Sequence, residues 1–342
     1  MNECLTIKLK ESSTANNLTR LGALKFNVGL VDSRTVVLQL YSHTEQTIRV
    51  NRGYFTGTTS QEYNAPAGWI NTSIEASSGI TEIEFSNKFG ISRLNSMNGT
   101  NPMWAVGTNN FEIFVDFEDF RYCTSLESIF LSLGNGGGDL DNFKKVPMKN
   151  IIISPDGTNM FIEGDISGIL SQTNLENIVL TNQSQVTGNL SSFVGKTITA
   201  DIFELSGTSV TGSINALSGV RTNYLILKRM RKFIGGDIAS LHNGVKFFSV
   251  ADSQNNVFTF SSFNSRTNFL AIEGAFLKSG VNDLITQSAN LSVFPTSTAP
   301  LYERTINVWG AYDYKKADVQ DKLNTLKNKN IEVRINGILE NP

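Results

Sequence analysis

VTGNLSSF at residues 186–193 and VTGSINAL at residues 210–217 are nearly the same phrase, written 24 residues apart. The spacing is not confined to that pair, because Gly164, Gly188, Gly212 and Gly236 recur at the same step. Three apolar columns keep time with the glycines: Ile162, Val186, Val210 and Ile234; Ile166, Leu190, Ile214 and Ile238; Ile169, Phe193, Leu217 and Leu241. A fixed period of this length is the signature of a repeat architecture, in which one supersecondary unit is stacked on the next.

Between the phrases lie short alternating runs suited to strands: LENIVLT, DIFEL, NYLILK, KFFSVA and NFLAIE. Each repeat then reads as one strand, a turn and a loose return, the glycine admitting positive φ and the apolar columns pointing inward. No single coil could bury its own core, so stacking has to do it. Upstream, Gly138, Leu140 and Phe143 of GGDLDNF keep the internal spacing behind Leu126, Ile129 and Leu131. Downstream, VFTFSSF keeps Phe260 and Phe263 but puts Phe258 where glycine would stand. About six or seven coils over residues 112–290 are expected.

LENIVLTNQSQVTGNLSSF and DIFELSGTSVTGSINAL, with their L-x-x-I-x-L strand and x-G-x-I-x-x-L turn, resemble a leucine-rich repeat of the 24-residue kind. FEDFRYCTSLESIFLS is similar to the looser leucine-rich repeats of surface and virion proteins of gut Bacteroidetes and their phages, crAss-like phages among them. The resemblance covers roughly half the chain. Ser184, Thr208 and Lys232 stand where the family pattern has a regular asparagine, so an asparagine ladder is not implied.

Residues 1–110 are rich in strand patterns: CLTIKLK, ALKFNVGL, TVVLQLY, QTIRVN and TEIEFSN, with Trp69 and Trp104 as core or interface anchors. At the far end ERTINVWG, KKADVQDKLNTLKNKN and IEVRING read as strand, helix and strand. Val319, Leu323 and Leu326 form one helix face, and the two strands are expected to run parallel. The expected fold is therefore mostly β with some α: an N-terminal β-sandwich or barrel over 1–110, a leucine-rich-repeat-like solenoid over 111–295, and a small C-terminal βαβ unit over 296–342. That last unit either caps the final coil, the preferred placement, or forms a separate tail.

Charged residues make up only 18% of the chain and the net charge is −2, so the surface is solvated by amides and hydroxyls and carries no basic footprint for nucleic acid. The opening MNECLTIKLKESS lacks a signal-peptide apolar run, and no stretch is apolar for the length of a membrane span; export by the usual route and membrane insertion are not expected. Cys4 and Cys123 offer neither a disulfide framework nor metal-ligand spacing.

Chemistry-bearing motifs are sparse. His43 and His242 are the two histidines, in different segments, and no zinc, phosphate-loop or dithiol motif occurs. LGNGGGDLDN could cradle an ion through Asp139 and Asp141, but its spacing matches the repeat phrase and reads as a repeat turn. Asp116, Glu118 and Asp119 of VDFEDF could serve a glycosidase, yet a solvated strand face explains them as well. No enzyme, cofactor or metal is expected.

A stacked strand face offers recognition instead. Placing Leu131, Leu180, Leu205, Leu227, Val250 and Ile272 inward leaves Phe130, Val179, Glu204, Ile226, Ser249 and Ala271 outward as candidate partner-binding residues, and a one-residue slip would exchange the two sets. That stripe suits a protein partner. The resemblance implies a virion structural protein, a fibre or decoration made in the host cytoplasm, homo-oligomeric, contacting other virion subunits and a host-surface protein or glycan. A bacterial cell-surface adhesin and a capsular polysaccharide depolymerase are the alternatives.

Overall fold

The structure, a computed structural model, describes residues 3–8, 24–30, 34–42, 44–54, 57–76, 79–85, 91–95, 111–120, 126–131, 135–154, 160–170, 175–253 and 256–341. It is mostly β, with two α-helices and large mixed sheets, and divides into Met1–Asn174 and Leu175–Pro342. Trp104, His43 and Cys123 lie outside the described residues, as do the side chains of Cys4 and Trp69.

In the first unit, one sheet runs antiparallel from Glu3–Lys8 through Leu24–Leu30, Gly79–Phe85, Gln46–Tyr54 and Gly57–Ala65. A second pairs Gly68–Ala76, Arg34–Ser42 and Ile91–Asn95 in the same way. Among the described residues no closed barrel forms. Glu3–Lys8 instead gives its other edge to Phe111–Asp116, and Ile91–Asn95 gives its own to Ser128–Leu131, both parallel, so each antiparallel set continues into a parallel ladder. Phe117, Phe120 and Phe143 meet at centroid distances of 4.9 to 6.2 Å in the core beneath.

In the second unit short strands form a parallel ladder. Ile178 pairs with Phe203, Phe203 with Leu225, Leu225 with Phe248 and Phe248 with Ile272, each step crossing 22 to 25 residues. A parallel pair needs a connection of a dozen residues or more, and the repeat supplies it. The three sequence columns land where the period puts them: Val186, Val210 and Ile234, Leu190, Ile214 and Ile238, and Phe193, Leu217 and Leu241 are all buried.

The shared phrase itself is a capped 3₁₀ turn. Leu190–Phe193 and Ile214–Leu217 wind as single turns whose preceding residues, Asn189 and Ser213, accept the N–H two positions on. Asp139, Asp165 and Asp237 do the same before Leu140–Phe143, Ile166–Ile169 and Ile238–Ser240. A side-chain acceptor there satisfies an N–H that the turn leaves orphaned. The glycine before each cap has positive φ, and at Gly212 the reason is direct: a Cβ would lie 2.6 Å from Asn189 Oδ1 of the previous repeat.

The ladder passes into a long strand, Ala271–Ser279, which pairs with Phe247–Ser249 at one end and with Asn256–Thr259 at the other. Helix α1 (Val281–Ala289) then leads toward Thr305–Trp309, and α2 (Lys316–Asn328) leads to Glu332–Ile335; all three strands run parallel. The parallel strands around α2 are as the sequence suggests. Helix α1 is an addition, built on a stripe of Val281, Leu284, Ile285 and Ser288 that is buried. A tight turn at Asn336 and Gly337, both with positive φ, returns Ile338–Leu339 onto the last strand.

Candidate interaction face

Side chains alternate along the ladder strands, so the buried positions define the exposed ones. Ile178, Phe203, Leu225, Phe248 and Ile272 form one inward column, and Leu180, Leu205, Leu227 and Val250 the next; all are fully buried. Two outward rows remain. The first holds Asn177, Ile202, Tyr224, Phe247 and Ala271, and the second holds Val179, Glu204, Ile226, Ser249 and Glu273.

Four of the six residues expected on the face, Val179, Glu204, Ile226 and Ser249, share the second row. Ala271 does not: Ser249 pairs with Glu273, and Ala271 sits one alternation away opposite Phe247. The cause is that Ile272 stacks on Phe248 and not on Val250, whose own level is reached only at Gly274, in left-handed conformation where the strand bulges. Phe130 belongs to Ser128–Leu131, opposite Ile152, and its side chain lies outside the described residues, as do those of Asp116, Glu118 and Asp119.

Accessibility divides the rows further. Glu204 and Ile226 are half-exposed, whereas Val179 keeps 8% of its surface and Ser249 and Ala271 none. Ser249 Oγ donates to Glu273 Oε2 at 2.7 Å, and the same oxygen takes Lys228 Nζ at 2.8 Å, so this end of the second row is closed by its own polar network. The first row is crossed by the chain itself. Residues 292–304, between α1 and Thr305–Trp309, bring the Tyr302 ring to 5.3 Å from Phe247 and the Glu303 carboxylate to 2.6 Å from the Tyr224 hydroxyl. The open part of the face is therefore Ile202, Glu204 and Ile226, all half-buried.

The donation from Tyr224 to Glu303, with burial second, pushes the phenol up to about 12 from its ordinary 10. A proton kept in the folded chain but lost from the unfolded one makes stability fall as pH rises through that window. Unfolding followed from pH 9 to 12 should show that decline, and Tyr224→Phe should remove its share of it.

Sequence reasoning missed the crossing segment and the clamp beneath it. Arg266 is buried and donates to the carbonyls of Asn268 (2.9 Å), His242 (3.2 Å) and Val245, with the Phe263 ring 5.4 Å away. Among the described residues no three His, Cys, Asp or Glu gather as metal ligands, and no helix is long and apolar enough to cross a membrane. Asp139 caps its turn and Asp141 pairs with Lys144 at 2.7 Å. Compared with protein-family models, curated proteins and solved structures, the chain matches none.

Proposed function

We propose that the chain is a non-enzymatic virion structural protein, a phage fibre or a capsid or tail decoration, that uses a leucine-rich-repeat-like solenoid for recognition. The observation that carries the recognition role is the two-sided ladder: the inward columns stay apolar and buried, while the outward side chains change from Ile202 and Glu204 on one strand to Tyr224 and Ile226 on the next. A fixed frame with variable outward side chains is what a binding surface requires. Parallel steps of 22 to 25 residues and a recurring capped turn support the solenoid, and the strand-helix-strand end serves as its cap. The virion setting rests on the resemblance of the repeats and on the low-charge surface. Residues 1–110 dock on the particle, and the partners are other virion subunits and a host-surface protein or glycan.

The test mixes purified chain with virions and with host cells, and measures oligomeric state by light scattering. Association with the particle as an oligomer is the expected result, together with host-cell binding that Ile226→Asp weakens at least about tenfold with an unchanged fold. Binding to cells as a monomer with no affinity for particles would instead make the chain a cell-surface adhesin. Release of reducing sugar from capsule would make it a depolymerase.

A further inference from the structure

Beside the interaction face, the segment that crosses it leaves a cleft of about 310 Å³ against the loops that lead into Phe247–Ser249 and Ala271–Ser279. We propose that this cleft binds a sugar unit. Its apolar wall is Phe269, Phe294 and Pro295, and its polar groups are Lys246, Asn268 and Glu303. The wall is preformed. Phe294 stacks on Phe269 at 5.6 Å, Lys329 Nζ sits 3.7 Å from the Phe294 centroid, and Phe269 N–H donates to Val293 O at 2.8 Å.

The charges exclude most other ligands. An anion would meet the Glu303 carboxylate and a cation the Lys246 ammonium, so a singly charged molecule is opposed from one side. A purely apolar one would strip water from both charges without replacing it. The ligand must offer donors and acceptors together with a C–H surface. Glu303 engages Tyr224 through Oε1, which leaves Oε2 to accept. Among the described residues Lys246 Nζ makes no ion pair or hydrogen bond, so it is ready to donate. Every hydroxyl of a sugar both donates and accepts, and its C–H face can lie on the apolar wall. The volume lies at the lower end of small-molecule sites, and the cleft is open to solvent, which suits the terminal unit of a glycan chain.

Saturation-transfer NMR on the full chain with glucose, galactose, N-acetylglucosamine and fucose, and with glucuronic acid, alanine and leucine as charged controls, decides the matter. Signal from at least one sugar is expected, falling about tenfold in Lys246→Met and in Glu303→Gln while unfolding midpoints stay unchanged. No sugar signal, signal insensitive to both substitutions, or signal from the charged controls alone would overturn the proposal. Because the titration uses the isolated chain, it stands or falls independently of any association with a particle.

Discussion

Alanine at Gly212 is expected to destabilise the chain by roughly 2–4 kcal/mol, against about 1 kcal/mol for alanine at Gly195. Both glycines have positive φ, +121° and +73°, so both substitutions strain the backbone. They differ in what a methyl group would meet. At Gly195 nothing lies within 4 Å, whereas at Gly212 a Cβ falls 2.6 Å from Asn189 Oδ1 and 3.2 Å from Leu190 N. Asn189 is not free to withdraw, because that oxygen accepts Ser191 N–H at 2.8 Å and caps the 3₁₀ turn below. Displacing it adds the loss of a cap, about 1 kcal/mol, to the strain. Urea unfolding of the two single variants measures the difference; equal losses would refute the stacking argument. Asn189→Ala combined with Gly212→Ala should cost less than the sum of the two, since the oxygen that clashes is already gone.

The same stacking explains what could be read in advance. Ile162, Val186, Val210 and Ile234 repeat at a step of 24, and each is buried in its own unit, because an inward column has to be filled at every level. The residue after each glycine was legible too and went unread: Asp139, Asp165, Asn189, Ser213 and Asp237 are all residues that cap. Helix α1 was harder to see, since Val281, Leu284 and Ile285 follow a strand within the expected repeat region and carry no capping side chain before them.

The candidate face was legible where the strand runs themselves could be aligned. Val179, Glu204, Ile226 and Ser249 fall on one row at steps of 25, 22 and 23 residues, each at the matching place in its own run. Ala271 misses that row because it stands 22 residues after Ser249, where the ladder takes a step of 24 and pairs Ser249 with Glu273. Nor could a sequence pattern reveal that residues 292–304 cross the face, because PTSTAP has no apolar period and its position depends on Tyr302 finding Phe247.

Arg266→Met should cost roughly 1–3 kcal/mol, the range for leaving buried acceptors without the donor that satisfied them. The guanidinium forks to three backbone carbonyls, of His242, Val245 and Asn268, in a site that burial pulls down to about 10 yet leaves charged at neutral pH. Methionine keeps much of the stem's volume and removes every donor. Arg266→Lys should recover only part of the loss, because one ammonium cannot span three carbonyls with a planar fork. A purely steric role for Arg266 predicts that methionine and lysine behave alike, and that outcome would defeat the clamp. A second readout is local. The His242 imidazole is held below its ordinary 6.5, first by burial and then by Arg221 and Arg266, so NMR titration of Arg266→Met should find it raised. In the parent chain a histidine with a lowered folded pKa contributes stability that is lost as pH falls below about 6.5, and the variant should lose less of it. Finally, Arg266 holds the Asn268 carbonyl while Asn268 pairs with Val293 across the mouth of the cleft. Loosening that clamp should weaken sugar binding without touching Lys246 or Glu303, an effect that separates the frame of the cleft from the groups that contact its ligand.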